Sequence, residues 1–252
     1  MKLAEKTSPQ IARLSRDTTV LIPLGALEQH SAHLPLFVDS MVVGELARRA
    51  EEQFAEQVLL TPVMWLGNSE HHLDFPGTMT ASPRVYLDLV VDMVHNFLHA
   101  GFKRIVLLNG HGGNTVPGQQ ALYEVRQRHR ERKDLLLLMA TYWTLGGDAR
   151  ESVKGLRQPQ VQHACQWETS MMLHLRPDLV GDFKSLPTVD YGDPFLPAMR
   201  SWVTQDVSAL GHIGEPQYGD AEIGRQLLDF YTAGVVALLR RVVAWDGKSW
   251  SA

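Results

Sequence analysis

Three segments of this chain gather imidazoles and carboxylates at spacings that suit a metal centre. In the first, Glu28 and His30 lie two residues apart, and Asp39 follows nearby. On extended backbone such a pair points to one side, so both side chains can serve adjacent metal positions. Asp39 stands at the mouth of a helical pattern, where a carboxylate also gains from the helix dipole. In the second, His111 sits in Asn109-Gly110-His111-Gly112-Gly113-Asn114, and glycines on both sides let the backbone approach a ligand closely. In the third, His163 and Glu168 flank Cys165 before an apolar helix containing Met171, Met172 and Leu175. Oxygen and nitrogen donors without thiolate suit Zn, Mn or Fe in a hydrolytic site. A water bound there has its pKa lowered from 15.7 toward roughly 7, which makes a nucleophile at neutral pH.

Each residue also has a plainer reading. Asp39 can be only a helix cap, His30 a satisfied loop histidine, and Glu168 a capping partner. Glu28, His30 and Asp39 together in one strand-end loop favour the metal. The glycine loop at 109–114 competes as a phosphate cradle, since a helix follows it. It lacks Gly-x-Gly-x-x-Gly and a Lys-Ser/Thr pair, so a dinucleotide site is disfavoured. Phosphoester hydrolysis is disfavoured too, because residues 28–39 and 111–114 contain no Lys or Arg to clamp phosphate. Cys165 reads as a small buried residue with no base beside it.

The elements that would position these residues alternate. Residues 18–24 form a short apolar run rich in β-branched side chains, which predicts a buried strand. Residues 39–54 carry apolar side chains at helical spacing. A second strand is expected over 58–63. Ser82-Pro83 starts a helix that runs to about Ala100 and stops at Gly101. A third strand over 104–108, a charged helix to about Lys133, a fourth strand over 135–141 and a last helix over 218–243 complete the pattern. The alternation predicts an α/β fold with a layered, mostly parallel sheet flanked by helices. Ligands of such sheets bind beyond the C-terminal strand ends, where residues 25–39, 66–78 and 109–114 all fall. Residues 155–163 and 187–219, rich in proline, glycine and polar side chains, read as long loops roofing the site.

Composition sets the outer bounds. The 252 residues suit a single domain over 1–252, and 44% are hydrophobic, ordinary for a packed core. A net charge of -4 suggests neither a nucleic-acid surface nor a polybasic membrane patch. One cysteine excludes an intrachain disulfide and fits a reducing cytosol. The first eight residues have no apolar core of a signal peptide, and no run approaches the roughly 20 apolar residues of a bilayer span. A cytoplasmic location is expected, with no nucleic-acid or membrane partner.

The ordered motifs Leu24-Gly-Ala-Leu-Glu28-Gln-His30-x-x-His33-Leu-Pro with Asp39, Asn109-Gly-His111-Gly-Gly-Asn114 and His163-Ala-x-x-x-Glu168-Thr-Ser resemble the creatininase (creatinine amidohydrolase) family. His72-Leu-Asp-Phe-Pro-Gly-Thr78 and Gly211-His-Ile-Gly214-Glu-Pro216 with Gly224 extend the match across residues 18–240. The resemblance implies a layered α/β fold with two divalent metal ions, Zn and/or Mn, with Fe also known. Glu28 and His111 would serve one metal and His30 the other, with Asp39 bridging them. His163 would be the catalytic histidine, a general acid to the leaving nitrogen. Trp143 and His72 would line the substrate pocket, and His33 would hold the loop from behind. The family also implies a homo-oligomer, commonly a hexamer. One departure stands out: true creatininases carry an acidic ligand where this chain has Gly113, and Glu168 is the candidate to replace it. The expected activity is hydrolysis of a C–N bond in a small cyclic amide or formamide by a metal-bridged hydroxide. A peptidase of the same family acting on a modified peptide, or an inactive metal-binding scaffold, are the alternatives.

Overall fold

The computed structural model describes residues 1–193 and 195–249. The domain expected over 1–252 thus includes positions 194 and 250–252, which lie outside the described residues. A short helix α1 (Ser8–Ala12) precedes strand β1 (Thr19–Leu24), every residue of which is buried. β1 pairs in parallel with β2 (Val58–Leu60) on one side and β3 (Arg104–Asn109) on the other. β4 (Leu136–Thr141) pairs with β3, also in parallel, giving the order β2-β1-β3-β4. In this register Leu24 stands opposite Asn109, and Asn109 opposite Thr141, so three strands end level.

Helices cover both faces, which is why β1 is a continuous apolar run rather than an alternating one. Leu21, Val106 and Leu108 pack against α2 (Val38–Glu51), α5 (Gln166–Leu175) and α6 (Ala221–Ala244). Val20, Ile22, Leu24, Ile105 and Leu107 pack against α3 (Pro83–His99) and α4 (Thr115–Arg128). β1 leads through α2 to β2 on one side, and the chain then crosses back through α3 to β3. The connections leaving β1 and β3 therefore diverge to opposite faces. They open a crevice beyond the two central strand ends, the usual ligand position in such sheets.

Several boundaries differ from the sequence expectation; α2, for one, ends at Glu51 rather than 54. β2 ends at Leu60 rather than residue 63, because Pro62 has no N–H for the ladder. The chain still follows β1, with Met64 N–H donating to Pro23 O and Gly25 N–H to Met64 O. α4 ends at Arg128 instead of near Lys133, since no apolar side chain after Val125 docks it to the sheet. α6 starts at Ala221 rather than 218, because Asp220 caps it, accepting from Glu222 and Ile223 N–H. Among the described residues no helix is long and apolar enough to cross a membrane.

Candidate metal centre

Two level strand ends deliver the first donors. Beyond β1, Gly25 lies against Ser40, where a Cβ would meet Ser40 Oγ, and Ser40 Oγ donates to Ala26 O. This ties the loop carrying Glu28 and His30 to the first turn of α2, which carries Asp39. Beyond β3, Gly110 N–H donates to Leu24 O, and Asn109 Nδ2 donates to His111 O. The two neighbouring loops are thereby locked side by side. The third donor pair, His163 and Glu168, comes from the start of α5 and the residues just before it. Ala164 adopts a left-handed φ of 49°, the turn that separates His163 from the helix. Its N–H donates to Glu168 Oε2 at 2.5 Å, so the capping role and a free second oxygen coexist in one carboxylate.

The side chains converge tightly. Asp39 Oδ1 lies 3.4 Å from His30 Nε2, and Asp39 Oδ2 lies 3.2 Å from His111 Nδ1. Glu28 Oε2 is 3.2 Å from His111 Nε2, while Glu28 Oε1 is 3.4 Å from His72 Nε2 and 3.5 Å from His163 Nδ1. Glu168 Oε1 is 3.8 Å from His30 Nε2. Glu28, His30, Asp39, His72, His111 and Glu168 are all buried. His163, with a side chain 14% exposed, is the more accessible edge of the group.

These donors fit metal ions. Both oxygens of Glu28, His30 Nε2 and Asp39 Oδ2 are buried without a hydrogen-bond partner, a costly state unless something else satisfies them. Their mutual spacing is longer than a charge-assisted hydrogen bond of about 2.7–2.9 Å. It does match the edge of a tetrahedral shell: two ligands each about 2.0–2.1 Å from zinc stand roughly 3.3 Å apart. Hydrogen bonding also prepares the imidazoles. His30 Nδ1 lies 3.2 Å from Glu28 O, to which it donates, leaving the Nε2 lone pair facing Asp39 and Glu168. His111 Nε2 lies 3.0 Å from Asn68 O, an arrangement that leaves Nδ1 free toward Asp39. Backbone carbonyls fixing the tautomer of a ligating histidine are the usual outer layer of metal sites.

Electrostatics ask for the same charge. Burial raises the Glu28 carboxyl above its ordinary range, and Asp39 beside it adds to the rise. Against the cost of burial, His30 and His111 hold Asp39 well below the carboxylate range. Burial disfavours charge on His30 and His111 too, yet Asp39, Glu28 and Glu168 pull both toward their cationic forms. A divalent ion supplies that positive charge while leaving the imidazoles neutral. His72 and His163 are pushed down, first by burial and then by neighbouring histidines.

The sequence itself matches the family model described as creatinine amidohydrolase over residues 4–239. The chain belongs to the creatininase family. The mycofactocin precursor peptide peptidase of Mycobacterium tuberculosis (strain CDC 1551 / Oshkosh) is 29% identical over 259 residues, covering 97% of this chain and 91% of that protein. The creatinine amidohydrolase of Pseudomonas putida is 29% identical over 177 residues, covering 65% of this chain and 66% of that protein. A crystal structure of creatinine amidohydrolase superposes with a TM-score of 0.83 at 24% identity, covering 97% of this chain and 98% of that one. At that identity the superposition establishes the fold.

Within this creatininase fold the three sequence segments meet at one place. Residues 72 and 143 fare differently from each other. His72 is buried, with its Nδ1 2.8 Å from both Gln29 Nε2 and Thr204 Oγ1. Trp143 stands in the turn Tyr142–Thr144 beyond β4, half-buried, its ring 4.9 Å from that of Tyr142 and perpendicular to it. His33 reaches α5, its Nε2 2.9 Å from Thr169 Oγ1, next to Glu168. Of the two arginines on the roofing loops, Arg157 stacks over Tyr218 at 3.7 Å and Arg200 lies over Tyr191 at 5.7 Å. Sequence reading missed His71, Gln29 and Thr204. His71 stacks on His111 at 5.7 Å and belongs to a group with Glu28 and His111. The doubled His71-His72 was a usable signal for it, and Gln29 stood between two candidate ligands. Thr204 lies in a loop without motif and had none.

Proposed function

We propose that this protein is a metal-dependent amidohydrolase that cleaves a C–N bond of a small cyclic amide or formamide. The observation that carries the reading is the buried set of unpartnered donors on Glu28, His30 and Asp39, with Asp39 3.4 Å from His30 Nε2 and 3.2 Å from His111 Nδ1, the spacing of coordination-shell edges. Two divalent ions, Zn and/or Mn, are the proposed cofactors. A manganese form and a Zn-Zn form are among the solved creatininases. Glu28 and His111 would hold one ion and His30 with Glu168 the other, with Asp39 offering one oxygen to each. When bound, such ions lower the pKa of a water and polarise a carbonyl.

The chain's own residues supply the rest. His163 turns Nδ1 toward Glu28 while its Nε2 donates to Gln29 O at 2.7 Å. It is placed to take a proton from the attacking water at Nδ1 and return it to the leaving nitrogen as general acid. Thr204 and Gly211 bond to His72 and Gln29 over the centre, which restricts entry and favours a small substrate. Trp143 offers flat aromatic surface near the strand ends, suited to a planar ring or amide.

One observation favours a second reading, a peptidase acting on a modified peptide. The peptide peptidase relative aligns with 97% of the chain, against 65% for the creatinine amidohydrolase of P. putida. Steady-state assays of metal-loaded enzyme on creatinine, small lactams, formamides and short peptides separate the readings. Turnover of a small amide, abolished by chelation, is expected. Cleavage of a peptide with no turnover of any small amide overturns the first reading for the second, and metal binding without turnover of anything points to a scaffold. A homo-oligomer is also proposed, with light scattering as its check, and a cytosolic location, consistent with one buried thiol.

A further inference from the structure

We infer that the carboxamide of Gln29 is a positioning group that fixes the protons of two histidines at the centre, so that His72 directs an N–H at Glu28 and His163 directs a lone pair. The inference rests on the metal centre proposed above and says which side chains orient it from outside.

The orientation of the Gln29 amide follows from its partners. Its Oε1 accepts from Ser31 N–H at 2.8 Å, and its Nε2 donates to Gly211 O at 2.8 Å. A flipped amide would set oxygen against a carbonyl and nitrogen against an N–H, so only one assignment satisfies both. Nε2 has one further hydrogen, with His72 Nδ1 at 2.8 Å and His163 Nε2 at 3.0 Å as neighbours. His163 Nε2 also lies 2.7 Å from Gln29 O, which only accepts, so that nitrogen carries a proton. The remaining amide hydrogen therefore goes to His72 Nδ1, which must accept. A neutral imidazole with Nδ1 accepting has its proton on Nε2. In His72 that nitrogen lies 3.4 Å from Glu28 Oε1.

Two consequences follow. His72 sits within ligand distance of Glu28 and His163 yet has no inward lone pair, so it orients the Glu28 carboxylate instead of binding metal. His163, protonated on the side of Gln29, keeps Nδ1 free toward the centre, which is the form needed to accept a proton. The same amide also ties the roof to the centre. Gly211 has a φ of +84°, and a Cβ there would meet Gln29 Oε1, so this close approach needs glycine. Thr204 Oγ1, 2.8 Å from His72 Nδ1, is the second link from that loop.

The test is the ¹⁵N spectrum of histidine-labelled, zinc-loaded protein without substrate, which reads protonation at each ring nitrogen. The wild type should show His72 and His163 both protonated at Nε2. In Gln29→Glu, where the carboxylate only accepts, the His72 proton should move to Nδ1, with turnover falling about 10–100-fold as for other outer-layer partners. Thr204→Val should leave the His72 proton in place. A wild-type His72 protonated at Nδ1, or bearing a zinc-shifted nitrogen, overturns the inference with no variant needed. So does a Gln29→Glu spectrum in which His72 is unchanged, or a Thr204→Val spectrum in which it switches. Because no substrate is present, a failed amide panel would sink the substrate reading and leave this result standing.

Discussion

Glu168 Oε1 lies 3.8 Å from His30 Nε2, while Gly113 leaves no room for a side chain. A Cβ on Gly113 would lie 2.1 Å from Asn68 O and 2.6 Å from His111 Nε2. A side chain at this position is thus excluded by the Asn68 backbone, and Glu168 on α5 is the carboxylate proposed in its place. Gly113→Asp should not add a ligand. It should displace Asn68 or His111, lower metal content measured by plasma mass spectrometry, and destabilise the fold by about 1–3 kcal/mol as overpacking does. A Gly113→Asp protein with normal stability and tighter metal binding would refute the exclusion.

Asp39 reaches two imidazoles with different oxygens, 3.4 Å to His30 and 3.2 Å to His111. A carboxylate placed between two sites belongs to both. Asp39→Ala should therefore lose both ions together, whereas His30→Ala should weaken one. Metal titration by calorimetry distinguishes these, and retention of one full-affinity ion in Asp39→Ala would contradict a bridging role.

His163 and Glu168 lie in one segment but are proposed in different roles. Glu168→Gln should weaken one metal site, because an amide is a poorer ligand and its Ala164 partner remains. His163→Ala should keep the metal and lose turnover by about 10²-fold or more, as for a lost general acid. Reversed outcomes, with metal lost from His163→Ala and kept in Glu168→Gln, would exchange the two roles.

Much of this was legible in the sequence because it follows from local rules. The strand over 19–24 follows from a continuous apolar run and the helix after Asp39 from apolar periodicity, and the meeting of Glu28 with His111 follows from their places after adjacent strand ends. What was not legible depends on contacts between distant segments. Nothing local says that Thr204 meets His72 across 132 residues, or that Asn68 fills the space beside Gly113. The start of α6 at Ala221 depends on Asp220, and a cap is a subtler mark than the apolar pattern that suggested 218.

Cys165 tests the claim that no thiol takes part. It is wholly buried at the N-cap of α5, and burial, with Glu168 nearby, pushes its thiol up to about 12. Its thiolate fraction at neutral pH is then on the order of 10³-fold below that of a free thiol. Alkylation should be negligible in the native protein and complete in denaturant, and native iodoacetamide treatment should leave turnover intact. Rapid native labelling with loss of activity would show an accessible, functional thiol.

Acid should weaken the fold through His33, whose burial disfavours the charged ring. Burial, with His212 and His30 nearby, lowers His33 to about 4 in the folded protein, whereas an unfolded histidine titrates near ~6.5. Between these values the unfolded chain binds the extra proton. Stability therefore rises with pH in this window, is complete above about 6.5 and is lost as pH falls toward 4. One proton gives at most about 1.4 kcal/mol per pH unit. His212, also lowered by burial, acts in the same direction. Urea unfolding of metal-saturated protein at pH 7.5, 6.0 and 5.0 should show this slope. His33→Gln, which keeps a partner for Thr169 but cannot titrate, should reduce it. An unchanged slope in that variant would assign the acid sensitivity to other groups, above all to loss of the metals.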